Sequence, residues 1–201
     1  MKQFVLPLAA VLALSACATV EPPQTVDNAC SILSERPGWW RGLKRAENRW
    51  GAPPGLILAI MRQESSFQHN ARPPREDGFL FFPGRRPSSA FGYAQALDQT
   101  WAEYQRDAGE GGADRDEFRD AADFIGWYTN TSRRRLNLDF GNGETHYLAY
   151  HEGHGGYSRG TFRQKAWLQE VARRVGTTAS TYQRQIEGCE ADLNRGWLPF
   201  F

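Results

Sequence analysis

Between Pro53-Pro54 and Ser65-Ser66 the chain reads GLILAIMRQE, residues 55 to 64. Proline tolerates the first turn of a helix, so Pro53-Pro54 permits a fresh helix start and the pattern predicts a helix over 55–67. Leu56, Ile60 and Gln63-Glu64 fall near one face, and Ile57 and Met61 on a neighbouring one. An apolar stripe this broad requires burial on most sides. The rest of the chain must therefore wrap around this segment. It has the means, with hydrophobic residues at 40% and aromatics at 13%. Further helices are predicted over 31–50, broken by Pro37-Gly38, and over 93–107, 115–133, 161–175 and 178–188. Gly141-Asn142-Gly143 precedes another, which runs through Tyr150. Residues 70–90, 109–112 and 153–160 read as loops, with Phe79-Leu80-Phe81-Phe82 as a short strand or an apolar plug. There is no internal repeat and no second boundary. The expected fold class is a single, mainly α domain.

The ends add a compartment. MKQ precedes an apolar segment, FVLPLAAVLALSA, of the length of a secretory leader. It falls short of the roughly 20 apolar residues that span a bilayer. Leu14-Ser15-Ala16-Cys17 resembles a bacterial lipoprotein signal, in which the cysteine is acylated and becomes the new N-terminus. An ordinary secretory signal cut nearby is the alternative. The expected division is a signal peptide over 1–16, the lipidated Cys17 with a polar tether over 17–30, and the folded domain over 31–201. Ala18 after the cysteine resembles the sorting pattern for the periplasmic side of the outer membrane. Cys30 and Cys189 then remain, and an exported domain can join them in one disulfide or carry them as free thiols. Neither has metal-site spacing, and no metal or cofactor is expected. The formal net charge of +1 gives no support for a nucleic-acid partner.

Glu64 stands out chemically. Glutamate is rarely buried without a partner or a purpose. An apolar surrounding and a helix C-terminus both disfavour its charge and raise its pKa. A carboxyl group that stays protonated near neutrality is a candidate general acid, and a capped or exposed helix-end glutamate is the ordinary reading.

Three stretches decide between them. Glu64-Ser65-Ser66-Phe67 with His69-Asn70-Ala71, then Ser89-Ala90-Phe91-Gly92-Tyr93-Ala94-Gln95, then Ala149-Tyr150-His151-Glu152-Gly153, occur in this order. They resemble the catalytic ES element with its N-x-A sequel, the G-L-M-Q element and the A-Y-N-x-G element of the soluble lytic transglycosylase family. Tyr93-Ala94 stands for Leu-Met, and His151 stands for the asparagine. The resemblance implies a lysozyme-like fold of the goose type and a monomer acting on peptidoglycan glycan strands. It implies Glu64 as catalytic acid and base and Ser65 as a support for it or for the nearby sugar. Tyr93 and Gln95 would line the cleft, Gly92 would allow close backbone approach, and Tyr150 would hydrogen-bond Glu64 or the sugar. His151 would either replace the missing amide or titrate. Thr129-Asn130-Thr131 either reach the sugar N-acetyl groups or mark a helix end, with Asn130 the binding candidate. Trp127 and Tyr128 are candidates for sugar stacking, and the glycine-rich 154–161 either binds substrate or turns.

The family cleaves the β-1,4 bond between N-acetylmuramic acid and N-acetylglucosamine, leaving a 1,6-anhydro end. A second carboxylate opposite Glu64 would instead activate water and make a hydrolase. Glu144, Glu152 and Asp139 are the candidates. A non-catalytic wall-binding lipoprotein is the reading outside enzymes.

Overall fold

The computed structural model describes residues 21–77 and 84–195. The leader, Cys17 and the Phe79–Phe82 segment lie outside the described residues. The described chain is mainly α, as expected: α1 (Ala29–Glu35), α2 (Pro37–Trp50), α3 (Pro54–Ser65), α4 (Asp98–Ala108), α5 (Phe118–Leu136), α6 (Gly143–Arg159) and α7 (Ala166–Arg195).

The segment from Leu56 to Met61 is buried at every position, which makes α3 the central helix. Burial of each such large side chain is worth roughly 1.5–3 kcal/mol. Helix α7 covers most of it, and α5 and α2 complete the enclosure. Helix α7 lies along α3, and a Cβ at Gly55 would stand 2.6 Å from the backbone nitrogen of Gln183. Only glycine admits that crossing. Helix α6 also packs on α7, where Gly143 and Gly176 meet. The N-terminal α1 starts with an Asn28 side chain that accepts from the Ser31 N–H at 3.0 Å. Pro37 opens α2, as the predicted break at Pro37-Gly38 requires. Cys30 and Cys189 form a disulfide that joins α1 to α7, with Cα atoms 6.2 Å apart.

Four expectations about elements need correction. The helix predicted over 93–107 begins only at Asp98, because Gly92 and Gln95 hold positive φ values of 76° and 47° that a helix excludes. Residues 91–96 instead form a tight turn closed by an antiparallel bridge between Phe91 and Ala96. Thr129-Asn130-Thr131 do not end α5. Thr129 and Ser132 donate their hydroxyls to the carbonyls of Ile125 and Tyr128 one turn earlier, at 2.8 and 2.9 Å. The glycine-rich 153–160 is the second half of α6, bent at Gly153 (φ 71°, ψ 159°). The last two predicted helices are one helix of 30 residues. Gly176, at the predicted break, serves packing: a Cβ there would lie 2.9 Å from the Glu144 nitrogen.

Aromatic residues organise the remainder of the core. Trp39 stacks on Phe118 with centroids 4.0 Å apart, and Phe67 and Tyr93 close around the pair. A second group joins Trp101, Tyr104, Phe124 and Trp127, and continues through Tyr128 to Tyr150. The first group anchors the chain on either side of the 91–96 turn. The second forms the wall beyond it.

Candidate active site

Glu64 is the penultimate residue of α3, and the chain turns sharply after it. Ser66 and Phe67 both adopt left-handed conformations, φ 50° and 63°. Each costs on the order of 1–2 kcal/mol for a residue with a side chain. Complete burial of Phe67 against Trp39 offsets the strain. Together with Gln95, three of the four non-glycine positive-φ residues described lie within the first two motif stretches. Such strain gathers where a site must be held in one geometry.

Hydrogen bonds tie the three stretches together. The Gly92 N–H donates to the Ala71 carbonyl at 3.0 Å. The Gln95 amide donates to the carbonyls of Ala71 and Gly92, both at 2.9 Å. From α6, the Tyr150 hydroxyl donates to the Ala94 carbonyl at 2.6 Å. The segment after Glu64, the 91–96 turn and α6 are thus clipped into one unit. Gly92 makes this possible by an approach of backbone to backbone. Its Cβ would fall 2.1 Å from the Arg115 carbonyl oxygen.

Burial pushes the Glu64 carboxyl up to about 7, and a hydrogen bond with Tyr147 pulls the other way without cancelling it. The residue keeps partial exposure, as a group that must meet a substrate needs, while protein surrounds most of its carboxyl. Burial first, and the Glu64 charge second, hold the Tyr147 and Tyr150 phenols far above their usual range. Both remain neutral donors at any pH near 7. Tyr147 was not among the sequence candidates. It lies three residues before Tyr150 on α6, so helical spacing puts the two hydroxyls on one side.

The other candidates sort by what they touch. Gln95, Tyr150 and His151 line a cavity of about 210 Å³ together with Leu97, Phe124, Tyr128 and Gly153. Tyr150 points its hydroxyl at Ala94 rather than at Glu64, so the phenol that bonds the acid is Tyr147. Ser65 is buried and donates back to the Met61 carbonyl at 3.1 Å. Tyr93 is buried among Trp39 and Phe118, where it anchors the turn instead of lining the cavity. Asn130 donates to the Trp50 carbonyl at 2.7 Å and ties α5 to the end of α2. Its amide therefore serves packing, on the other side of α5 from Tyr128. His151 is exposed and sits 3.1 Å from a Glu152 carboxylate oxygen.

No candidate second acid acts on Glu64. The Glu152 carboxyl is drawn down to about 2, chiefly by the hydrogen bond from Lys165 at 2.7 Å and then by Thr161. It is a fixed anion that braces the bend of α6. Asp139 accepts from the Gly141 N–H at 2.6 Å in the turn before α6. Glu144 lines a groove with Arg173, Gly176 and Thr177 on the seam of α6 and α7. Among the described residues, no group of three or more His, Cys, Asp and Glu side chains converges as a metal site would. A larger cavity of about 470 Å³ opens beside the disulfide, lined by Leu33, Pro37, Trp40 and Leu193. It is remote from Glu64, so size does not locate the chemistry here.

With this geometry in view, comparison with known families is decisive. The transglycosylase SLT domain family matches residues 5–189. The chain belongs to that family. No curated protein matches it. The family is one of peptidoglycan enzymes of the lytic transglycosylase type, and the mainly α, lysozyme-like domain described above agrees with it. Glu64-Ser65 lie within the matched span, at the end of the most buried helix.

Proposed function

We propose that this SLT domain cleaves the β-1,4 bond between N-acetylmuramic acid and N-acetylglucosamine and leaves 1,6-anhydromuramoyl ends. The observation that carries the reading is the Glu64 carboxyl group, raised to about 7 by burial and hydrogen-bonded by Tyr147, with no second carboxylate among the described residues acting on it. In the first step Glu64 gives its proton to the glycosidic oxygen, and the bond from that oxygen to C1 breaks. The substrate's own N-acetyl carbonyl stabilises the positive charge that develops at C1. In the second step the Glu64 carboxylate takes the proton of the muramic acid C6 hydroxyl, whose oxygen bonds to C1. The acid is restored and no water is consumed. A group that must be acid and then base works best with a pKa near the working pH. The nucleophile is already tethered in the substrate, which removes most of the entropic cost of attack.

Tyr147 has a defined part in this sequence. Its hydroxyl favours the Glu64 carboxylate formed by the first proton transfer, so it eases the intermediate state without ionising the resting acid. Gln95, Tyr150 and His151 hold the cavity wall where the sugars adjoining the cleaved bond would lie. The chain would act from the periplasmic face of the outer membrane, held there by lipid on Cys17, since a single acyl chain is marginal and a lipoprotein carries two or three.

The test is digestion of purified peptidoglycan by the form that starts after Cys17, beside Glu64→Gln. Anhydro-ended muropeptides from the first and none from the second support the reading. Hydrated reducing ends would make the enzyme a hydrolase. No release by folded protein between pH 4 and 8 would make it a binding module.

A further inference from the structure

Two large apolar side chains are exposed among the described residues, Leu97 at 45% and Trp167 at 58%. Single exposed hydrophobes are ordinary on a protein surface. These two stand at one place. Leu97 lines the cavity directly. The Trp167 ring meets His151 edge-on, with centroids 5.3 Å apart and planes at 78°, and His151 lines the same cavity.

The fold holds the indole there on purpose-built support. Trp167 is the second residue of α7, between Lys165 and Leu168. Leu168 is fully buried, and Lys165 is bonded to Glu152 on α6. Both flanks are pinned while the ring between them stays out. The run of α7 along α3 sets its position. Gly55 crosses at Ala179 and Gln183, and Ala59, Arg62 and Gln63 share a groove with Arg174, Val175 and Thr178. The helices are antiparallel, so α7 runs from its start, past the end of α3 that carries Glu64, to the Gly55 crossing.

We infer that Trp167 is a stacking platform for a pyranose ring of the glycan strand, at the margin of the cleft, with His151 supporting its edge. The inference rests on the proposed action on peptidoglycan glycan. A β-linked hexopyranose with equatorial substituents presents axial C–H groups on its faces and polar groups on its rim. A tryptophan face matches the first at low entropic cost. The charged and polar atoms of Glu152, Lys165 and His151, gathered beside the ring, suit the second. A long glycan strand needs holding beyond the two sugars that react. Continuity of the ring with the cavity through His151 favours the glycan over the peptide stem as its occupant.

The experiment uses Glu64→Gln protein, alone and combined with Trp167→Ala or Trp167→Phe, titrated with chitotetraose, which has no stem. Trp167→Ala should weaken binding about tenfold, the factor that 1.4 kcal/mol represents, and Trp167→Phe should restore most of it. In the active enzyme Trp167→Ala should raise KM for peptidoglycan by a similar factor and leave kcat nearly unchanged. Unchanged KM, or a loss confined to stem-bearing muropeptides, overturns the inference. Those results leave the proposed reaction intact as long as anhydro ends still form. If the enzyme with Trp167 in place releases none and binds no chitotetraose, the reaction and the platform fall together.

Discussion

Replacing Glu64 by glutamine should stabilise the protein, and by an amount that depends on pH. The folded-state pKa is about 7 against an ordinary value of 4.5. A gap of about two and a half units, at 1.36 kcal/mol each, gives about 3 kcal/mol. The folded state holds this proton more tightly than the unfolded state does. The group's contribution is therefore most favourable below pH 4.5, is lost as pH rises towards 7, and stays unfavourable above that. Glutamine has nearly the same shape, accepts from Tyr147 and carries no charge. Glu64→Gln should match the parent at pH 4 and exceed it by up to about 3 kcal/mol at pH 8. For a domain of this size, that is a rise in Tm of about 6–12 °C. Thermal or urea unfolding at a series of pH values, with the disulfide intact, measures it. A stability difference that is the same at pH 4 and pH 8 would refute the reasoning, because it would mean that Glu64 carries no raised pKa.

Three further outcomes follow from the same geometry. Tyr147→Phe removes a hydrogen bond that favours the Glu64 carboxylate, so the basic limb of the pH–rate profile should move up by about one unit, with a loss of kcat; a limb that stays in place would detach Tyr147 from the acid. Gly92→Ala places a Cβ against the Arg115 carbonyl at a φ of 76°, and should cost at least about 2 kcal/mol in denaturant unfolding while loosening Gln95. Reducing the Cys30–Cys189 bond, which spans 159 residues of sequence, should lower stability by up to about 5 kcal/mol on the chain-entropy account, read as a lower Tm in reductant.

Much of this was legible in the residues. The apolar run before Glu64 announced a buried helix and a raised pKa, because both depend on local pattern and on burial that the pattern implies. The three motif stretches do come together around one acid. The sequence misled where one residue type serves two ends. The glycines from Gly153 onward read as a loop, yet they continue a helix that Gly153 bends. Asn130 and Tyr93 looked like sugar ligands, but a polar or aromatic side chain in a packed helical domain can equally cap a carbonyl or fill a core. Tyr147 escaped notice because it lies outside the motif proper. Trp167 escaped because its exposure arises from the docking of α7 on α6, which no local pattern reports. Glu152 could not be placed from spacing, since its fate depends on Lys165 and Thr161 beyond the bend.

The central claim is that one carboxyl group performs both proton transfers and that the substrate's own hydroxyl replaces water. Digesting peptidoglycan in water enriched in heavy oxygen and weighing the muropeptides tests it most directly. The account predicts muramoyl ends one water lighter than the hydrolysed form, with no heavy oxygen at C1, and their loss in Glu64→Gln. Reducing ends that carry the heavy oxygen would contradict it, and would mean that a water, activated by some other group, reaches the site.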